Sequence, residues 1–299
     1  MKVNLMTWNT RLYEYGNIID QQKKKPVKPI DVIRDNAVLE VIKDHIDKKE
    51  NAIAVLQEIP LRSNITNREH EIFTLICDTF PEKDYTILYN VNETVRNQIK
   101  MTVVISKKNF VKKDEDGINS NNKDYCNCFV SFMVGELKIL AVHQSLRKDG
   151  FIEDKIKDTN YNPDIIIGDF NAGDYNKSNE TKEFQENREK YRDLIKKYTD
   201  KVKKVTSINN TEIDHILVKD GLNLKNESCY VDDNNILSDH YPIYYSFEIE
   251  YCEKYLDAEE YPVDKEKYPY AYECTKCGRV VKNEEMYAIP DMCDECRNG

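Results

Sequence analysis

The sequence predicts an α/β protein in which two β-sheets pack together and helices cover their outer faces. Three observations support this prediction: many short segments have strand patterns, few have helical spacing, and the two kinds occur in mixed order. The length of 299 residues suits one large domain plus a small appendage, and the 40% hydrophobic content can fill a sizeable core.

The first part of the chain alternates strands with two helices. Strands are predicted at MKVNLMTWN, AIAVLQE, YTILYN and MTVVIS, because their apolar residues alternate or run continuously. Apolar residues at helical spacing predict helices over VIRDNAVLEVIKDHIDKK, with Asp31 as N-cap, and over HEIFTLICDTF. A polar, lysine-rich loop is expected between the first strand and Lys28.

The second part contains more strands than helices. The loop KKDEDGINSNNKD precedes a predicted hairpin, CNCFVSFMV and LKILAVH, joined through Gly135. A buried strand follows at DIIIGD, where Gly168 is expected to let the backbone turn at the strand end. We predict a charged helix from about Glu180 to Tyr198, then strands at EIDHILV and YPIYYSFEIE with LNLKNESCYV between them.

Charge and hydropathy limit the possible partners. The formal net charge is −10, from 54 acidic and 44 basic residues, so no general attraction to nucleic acid or to an anionic membrane is expected. A nucleic acid substrate remains compatible with this charge if divalent metal and a few local bases neutralise the phosphate. No apolar run approaches the roughly 20 residues that cross a bilayer, and the amino terminus has no long apolar signal segment. We expect a cytoplasmic protein that does not bind membranes.

Residue types that can bind metal or transfer protons lie at the ends of five predicted strands. A sixth group, SDH, lies just before the last strand. Singly, each has an ordinary explanation: a hydrogen-bonded histidine, a solvated strand end or a turn former. Strand ends are also where α/β proteins place chemistry on a rigid scaffold. The candidates are Asn9 in TWN, Glu58 in LQE, His143 in AVH, Asp169 and Asn171 in GDFN, Asp214 in IDH, and Asp239 and His240 in SDH.

Together, in this order and spacing, the six motifs resemble those of the endonuclease/exonuclease/phosphatase superfamily. Its members are metal-dependent phosphodiesterases that include pancreatic deoxyribonuclease, abasic-site endonucleases and tyrosyl-DNA phosphodiesterases. The resemblance covers about Met1 to Tyr251. It implies a four-layer α/β sandwich with the active site at one edge of the two sheets, and hydrolysis of phosphodiester bonds by an activated water.

The resemblance also implies a metal site of hard oxygen ligands, which suit Mg²⁺ or Mn²⁺. Glu58 would be the main ligand, with Asn9 and Asp239 completing or flanking the site. Arg11 stands where the deoxyribonuclease branch also has arginine and is expected to contact substrate phosphate; a simple surface arginine is the alternative. Many relatives carry an arginine where this chain has Glu212, so phosphate binding at that position is not expected to be shared.

The remaining motif residues would act on water and phosphate. By resemblance, Asp169 would orient or deprotonate the water, and Asn171 would hold the water or a phosphate oxygen. His240 would contact the scissile phosphate while Asp214 accepts from its other nitrogen and orients the ring. His143 would be a second phosphate-contacting histidine or a proton donor.

The carboxyl-terminal tail predicts a second, different metal site. Two C-x-x-C pairs, Cys274 with Cys277 and Cys293 with Cys296, are separated by 15 residues, a spacing typical of a tetrahedral structural Zn²⁺. Four sulfurs leave no open position for catalysis. We predict three regions: a catalytic domain over 1–251, an acidic, tyrosine-rich linker over 252–272, and a zinc-ribbon-like module over 273–299 that could contact a protein partner.

Three functions are compatible with the sequence. The favoured one is a metal-dependent nuclease or phosphodiesterase acting on nucleic acid. A phosphatase or phosphodiesterase acting on a small molecule or lipid head group would need the same motifs, because these bind the phosphate and not what is attached to it. In a third, less favoured alternative, the zinc module recruits a partner and the front domain is inert. DNA and RNA, and endonuclease and exonuclease activity, remain equally open.

Overall fold

A computed structural model of the protein describes nine segments of the chain. They are residues 1–12, 29–60, 71–90, 100–118, 128–144, 152–175, 181–249, 272–273 and 280–281. No helix within these segments is both long and apolar enough to cross a membrane.

The first sheet has six strands and holds the amino-terminal strand near its middle. Its strands are β1 (Lys2–Asn9), β2 (Ala52–Pro60), β3 (Tyr85–Tyr89), β4 (Lys100–Lys107), β11 (Lys225–Val231) and β12 (Ile243–Glu248). Their order across the sheet is β11-β12-β1-β2-β4-β3. The β1 and β2 strands are parallel, and all other neighbours are antiparallel.

The second sheet also has six strands and one parallel pair, which is β7 and β8. Its strands are β5 (Lys112–Lys113), β6 (Phe129–Val134), β7 (Leu137–His143), β8 (Ile165–Asp169), β9 (Tyr198–Asp200) and β10 (Asp214–Lys219). Their order across the sheet is β5-β6-β7-β8-β10-β9. Inner strands of the two sheets, such as β2 and β8, contact each other, so the sheets pack face to face.

Helices cover the outer face of each sheet. The α1 helix (Pro29–Lys48) and α2 helix (Glu71–Thr79) pack on the first sheet, in a core that includes Trp8, Ile42 and Phe80. The α3 helix (Ile152–Thr159) and α4 helix (Lys182–Leu194) pack on the second sheet, around a core that includes Phe170. The described residues therefore form two mixed sheets with four helices, the α/β sandwich that the sequence predicts.

Most predicted elements are present, and the differences concern short or polar segments. The α1 helix begins at Pro29, so Asp31 lies inside it and is not its N-cap. The predicted charged helix ends at Leu194, and Tyr198 instead begins β9. Within residues 2–248, three elements were not predicted, namely β5, α3 and β9. They have two, eight and three residues, too few for a clear hydrophobic period.

Gly168 has a different role from the predicted strand-end turn. It lies within β8, which continues to Asp169. Its φ is +140°, and a Cβ built on it would lie 2.0 Å from the carbonyl oxygen of Val142 on β7. Only glycine therefore allows β7 and β8 to approach this closely next to the site.

The chain separates into two units, residues 2–248 and Met1 with residues 249–299. In the second unit, β13 (Tyr272–Glu273) and β14 (Val280–Val281) pair as an antiparallel two-stranded sheet. The predicted zinc ligands Cys274, Cys277, Cys293 and Cys296 lie outside the described residues. The zinc module and the boundaries at 251 and 272 thus stay predictions.

Candidate active site

Strand register brings the polar strand ends to one edge of the sandwich. In the first sheet, Asn9 is opposite Gln57, the residue before Glu58. In the second sheet, His143 and Asp169 are opposite each other at the carboxyl ends of the parallel β7 and β8. The β10 strand runs antiparallel on the other side of β8 and places Asp214 opposite Asp169.

Glu58 reaches this cluster because its backbone is irregular. The pairing of β2 with β4 shifts between Leu56 and Ile59, and Glu58 has a φ of 60°. A bulge of this kind turns a side chain away from its regular direction, and positive φ is costly for a residue other than glycine. The result is that Oε1 of Glu58, on the first sheet, lies 3.5 Å from Nε2 of His143 on the second sheet.

Asp169 is the centre of the cluster. Its Oδ2 accepts from Nδ2 of Asn9 at 2.9 Å and lies 3.8 Å from Nε2 of His143. Its Oδ1 accepts from the backbone N–H of Asn171 at 2.7 Å. Burial, reinforced by the negative charge of Asp214, raises the pKa of Asp169 to about 7. A carboxyl group with this pKa can accept a proton near neutral pH.

Asp214 and His240 form a hydrogen-bonded pair next to Asp169. The Nδ1 atom of His240 lies 3.0 and 2.9 Å from the two carboxylate oxygens of Asp214. Burial disfavours the charged imidazolium, but the Asp214 carboxylate outweighs burial and raises the pKa of His240 to about 10. One ligand atom from each of Asp169, Asp214 and His240 lies within 4.8 Å of the others. The three side chains are buried.

Arg11 and Asp239 lie at the rim of the cluster. A guanidinium nitrogen of Arg11 donates to Oδ2 of Asp239, and the backbone N–H of Arg11 donates to Oδ1 of Asn9 at 3.2 Å. The predicted phosphate-contacting arginine thus pairs with a predicted metal ligand. Asn171 is linked to the same group, because its side-chain amide donates to the backbone carbonyl of Gln144 at 2.8 Å. All eight motif residues and Arg11 therefore belong to one edge of the sandwich.

The donor set fits a hard divalent cation. Glu58, Asp169, Asp239 and Asn9 at this edge carry carboxylate or amide oxygens, and such ligands suit Mg²⁺ or Mn²⁺ better than softer metals. The carboxylates of Asp169 and Asp214 lie together in this buried site, and such paired negative charge favours a bound cation.

Solved structures resemble this chain, although no family model and no curated protein matches its sequence. An endonuclease/exonuclease/phosphatase from Bacteroides vulgatus has a TM-score of 0.53 at 18% identity, covering 84% of this chain and 100% of that chain. A humanised TDP2 from D. rerio has a TM-score of 0.52 at 13% identity, covering 83% and 99%. The 3′-5′ exonuclease NExo from Neisseria meningitidis has a TM-score of 0.52 at 15% identity, covering 83% and 100%. This chain has the endonuclease/exonuclease/phosphatase fold.

Residues that support the site within this fold were missed by the sequence reasoning. Trp8 donates from Nε1 to the His240 carbonyl at 2.9 Å, and the Ser238 hydroxyl donates to the Asn9 carbonyl at 2.8 Å. Arg34 on α1 donates to the carbonyls of Thr10 and Leu237. Trp8 and Ser238 belong to the quoted TWN and SDH motifs, so their proximity in sequence was an available signal. Arg34 has no such signal.

A second histidine–carboxylate pair lies on the outer side of β10. His215 Nδ1 lies 2.8 Å from Oδ2 of Asp200, and His215 Nε2 lies 2.8 Å from the carbonyl oxygen of Ala172. Tyr191 on α4 donates to the same Asp200 oxygen at 2.7 Å. Burial disfavours charge on His215, but the charge and hydrogen bond of Asp200 prevail and raise its pKa. His215 stands in the quoted IDH motif, of which only Asp214 was singled out.

Proposed function

We propose that the protein is a divalent-metal-dependent phosphodiesterase that hydrolyses nucleic acid. The observation that supports this most is the buried group of Asp169, Asp214 and His240, with Glu58 and His143 reaching it from both sheets. The group combines a carboxyl that can accept a proton with an imidazole that can donate one, beside oxygen ligands for a cation.

Asp169 is assigned to the attacking water. Its oxygens are fixed by Asn9 and by the Asn171 N–H, so the carboxylate has one orientation. In the proposed reaction Asp169 takes a proton from water as the water oxygen bonds to phosphorus and the bond to the leaving oxygen breaks. Asn171 holds the water or a phosphate oxygen.

His240 is assigned to the phosphate. Its Nδ1 donates to Asp214, and its raised pKa keeps the ring protonated at neutral pH. Within the described part of the chain, Nε2 of His240 has no hydrogen-bond partner, so its N–H can donate to a phosphoryl oxygen in which negative charge develops. His143 lies 3.5 Å from Glu58 and is assigned to a second phosphate oxygen or to protonation of the leaving oxygen.

Glu58, Asn9 and Asp239 are assigned as the ligands of Mg²⁺ or Mn²⁺, whose charge neutralises the phosphoryl oxygens. Arg11, which pairs with Asp239, is assigned to the substrate phosphate at the rim. Metal binding and substrate binding are thereby coupled, because the Asp239 carboxylate can bind either the cation or the guanidinium of Arg11.

The fold neighbours are what favours nucleic acid as the substrate. A structure of the Neisseria 3′ phosphatase NExo is bound to a product DNA hairpin, with a TM-score of 0.51 and 15% identity to this chain. Glu212, at the position where many relatives carry an arginine, lies with Asp174 and Asp200 around a cavity of about 490 Å³ that Lys203 also lines, and the charge of Glu212 itself does not favour phosphate binding there.

The test uses the full chain, with Mg²⁺ or Mn²⁺ and with a chelator. The substrate panel contains single- and double-stranded DNA, RNA, small phosphodiesters and phosphomonoesters. We expect metal-dependent cleavage of at least one nucleic acid, faster than that of the small esters. Cleavage confined to the small esters would assign a small-molecule substrate, and absence of all hydrolysis by the folded, metal-loaded protein would contradict the proposed function.

A further inference from the structure

Two neighbouring residues of β10 point to opposite sides of the second sheet. Asp214 faces the active site and binds His240, whereas His215 faces the helices and contacts the rings of Phe170 and Tyr191. Alternation of side chains along a strand explains this arrangement. His215 is as deeply buried as Asp214, and both have 2% of their surface exposed. The assigned reaction uses Asp214 and gives His215 no role.

Both nitrogens of the His215 ring are engaged. The Ala172 carbonyl can only accept, so the Nε2 atom at 2.8 Å must carry a proton and donate it. On the other side of the ring, Asp200 lies 2.8 Å from Nδ1 and is itself held by the Tyr191 hydroxyl at 2.7 Å and the Val202 N–H at 2.9 Å. The direction in which Nε2 points is therefore fixed by a chain of contacts reaching to α4.

The partner of Nε2 belongs to the turn that carries two proposed active-site residues. Ala172 directly follows Asn171, which has a φ of 47° and donates its N–H to Asp169 at 2.7 Å. The same turn is held at Phe170, whose N–H donates to the Ile213 carbonyl at 2.8 Å. Gly173 is equally constrained, because a Cβ there would lie 1.9 Å from the Glu212 carbonyl oxygen.

The Ala172 carbonyl needs this donor. Ala172 is fully buried, and a buried carbonyl without a hydrogen bond is unfavourable. If the donor were lost, the Ala172–Gly173 peptide could rotate, and the turn that carries the Asn171 N–H two peptide units earlier would lose an anchor. The His215 contact thus acts on the active site through the backbone.

We infer that His215 is a positioning residue for the proposed hydrolysis: by donating from Nε2 to the Ala172 carbonyl, it holds the Asp169–Asn171 turn in its reactive geometry. The inference rests on the proposed function. Its distinguishing claim is that the Nε2 contact, and not the burial of the ring or the pairing with Asp200, sets the rate of the chemical step.

Two amide substitutions separate these contributions. The side-chain nitrogen of glutamine can take the place of Nε2, whereas that of asparagine can reach only the place of Nδ1. His215→Gln therefore keeps the donor to Ala172, and His215→Asn keeps the donor to Asp200. We expect His215→Asn to lower kcat by about 10- to 100-fold with KM nearly unchanged, because supporting contacts of this kind have effects of that size. His215→Gln should retain most of the wild-type kcat.

The kinetics are measured on the full chain with saturating Mg²⁺, at a temperature at which circular dichroism shows both variants folded. Equal kcat values for the two variants, or a wild-type kcat for His215→Asn, would overturn the inference. If His215→Asn does not fold, His215→Phe takes its place, because it keeps a buried ring but has no donor for the Ala172 carbonyl. A lowered kcat is then expected, and an unchanged kcat would contradict the inference.

A second measurement does not depend on catalysis. Amide hydrogen exchange followed by NMR reports whether the Asn171 N–H stays bonded to Asp169. We expect faster exchange of this amide in His215→Asn, or in His215→Phe if that variant is used, and wild-type protection in His215→Gln. If the wild type hydrolyses nothing, the proposed function fails while exchange still decides whether His215 holds the turn. Undiminished Asn171 protection in the variant lacking the contact would refute the positioning role.

Discussion

The two histidine–carboxylate pairs of β10 contain the same chemical groups but differ in what the second histidine nitrogen contacts. In the front pair, Asp214 and His240, the strand supplies the carboxylate, and Nε2 of the histidine has no partner among the described residues. In the back pair, His215 and Asp200, the strand supplies the histidine, and both of its nitrogens are bonded within the chain. The open nitrogen suits a substrate, and the closed ring suits a fixed support. Engagement of both nitrogens, more than burial, distinguishes the two roles.

The comparison predicts its largest effect for changes at the front of the sheet. His240→Ala and Asp169→Asn should each lower kcat by roughly 10²-fold or more, because they remove the groups assigned to the phosphate and to the water. Asp174→Asn is the matched control, since Asp174 follows in the same loop but pairs with Arg192 at the surface. Near-normal turnover by folded His240→Ala would break the assignment of the front pair, and near-normal turnover by folded Asp169→Asn would break the assignment of Asp169 to the water.

The next largest effect is expected at the metal site. Glu58→Gln should weaken the apparent affinity for Mg²⁺ by at least about tenfold, because loss of supporting residues alone costs about 10- to 100-fold. The readout is the Mg²⁺ concentration that gives half-maximal activity. Glu40→Gln, at an exposed position on α1, provides the control. An unchanged Mg²⁺ requirement in Glu58→Gln would remove Glu58 from the ligand set.

A moderate effect is expected when pH is varied. Asp169 must be ionised to act as base, and its pKa is raised to about 7, so kcat/KM should rise as pH increases through that value. His240 must be protonated, and its pKa is raised to about 10, so activity should fall as pH rises through that value. Asp214→Asn removes the charge that raises the pKa of His240 and should move the basic limb to lower pH. If the basic limb stays at the same pH in Asp214→Asn, the loss of activity at high pH does not come from His240 of the front pair.

For site residues at the ends of regular strands, both identity and position in the fold could be predicted from the sequence. For site residues on irregular backbone, identity could be predicted but the direction of the side chain could not. The alternating pattern before Asn9 and the apolar runs before His143 and Asp169 mark strand ends, and the order of the motifs resembles that of a known fold. The bulge that turns Glu58 across to His143 has no signature in LQE. Apolar patterning is a property of whole strands, whereas a bulge depends on the pairing of two of them.

The back pair was beyond sequence reasoning for a different reason. Strand alternation places His215 on the face opposite Asp214, but the sequence does not show what His215 contacts there. Its partner Asp200 ends a strand of three residues, which lies in a segment with no clear period. Contacts between residues this far apart depend on packing of α4 against the second sheet, and packing is not encoded in any local pattern.

The smallest effect on catalysis is expected from the tail, which contributes no described residue to either pair. We predict about one Zn²⁺ per full-length chain, bound by Cys274, Cys277, Cys293 and Cys296. A double substitution, Cys274→Ser with Cys277→Ser, should release the zinc and leave cleavage of a short oligonucleotide nearly unchanged. Cys229→Ser, in an exposed position of β11, should keep the zinc. Metal analysis and the cleavage assay are run on the same preparations, and a large loss of cleavage would assign the tail to substrate binding.

The adjacency of Asp214 and His215 also has a consequence for folding. A slip of β10 by one residue against β8 would turn each side chain to the other face of the sheet. A slip in one direction would bring the Asp214 carboxylate against Asp200 and leave His240 beside Ile213. A slip in the other direction would bring His215 against His240 and leave Asp200 beside Ile216. In each misregistered chain, two like groups would be buried together and one charged partner would face an isoleucine. The two pairs therefore disfavour both alternative alignments of β10, even without substrate.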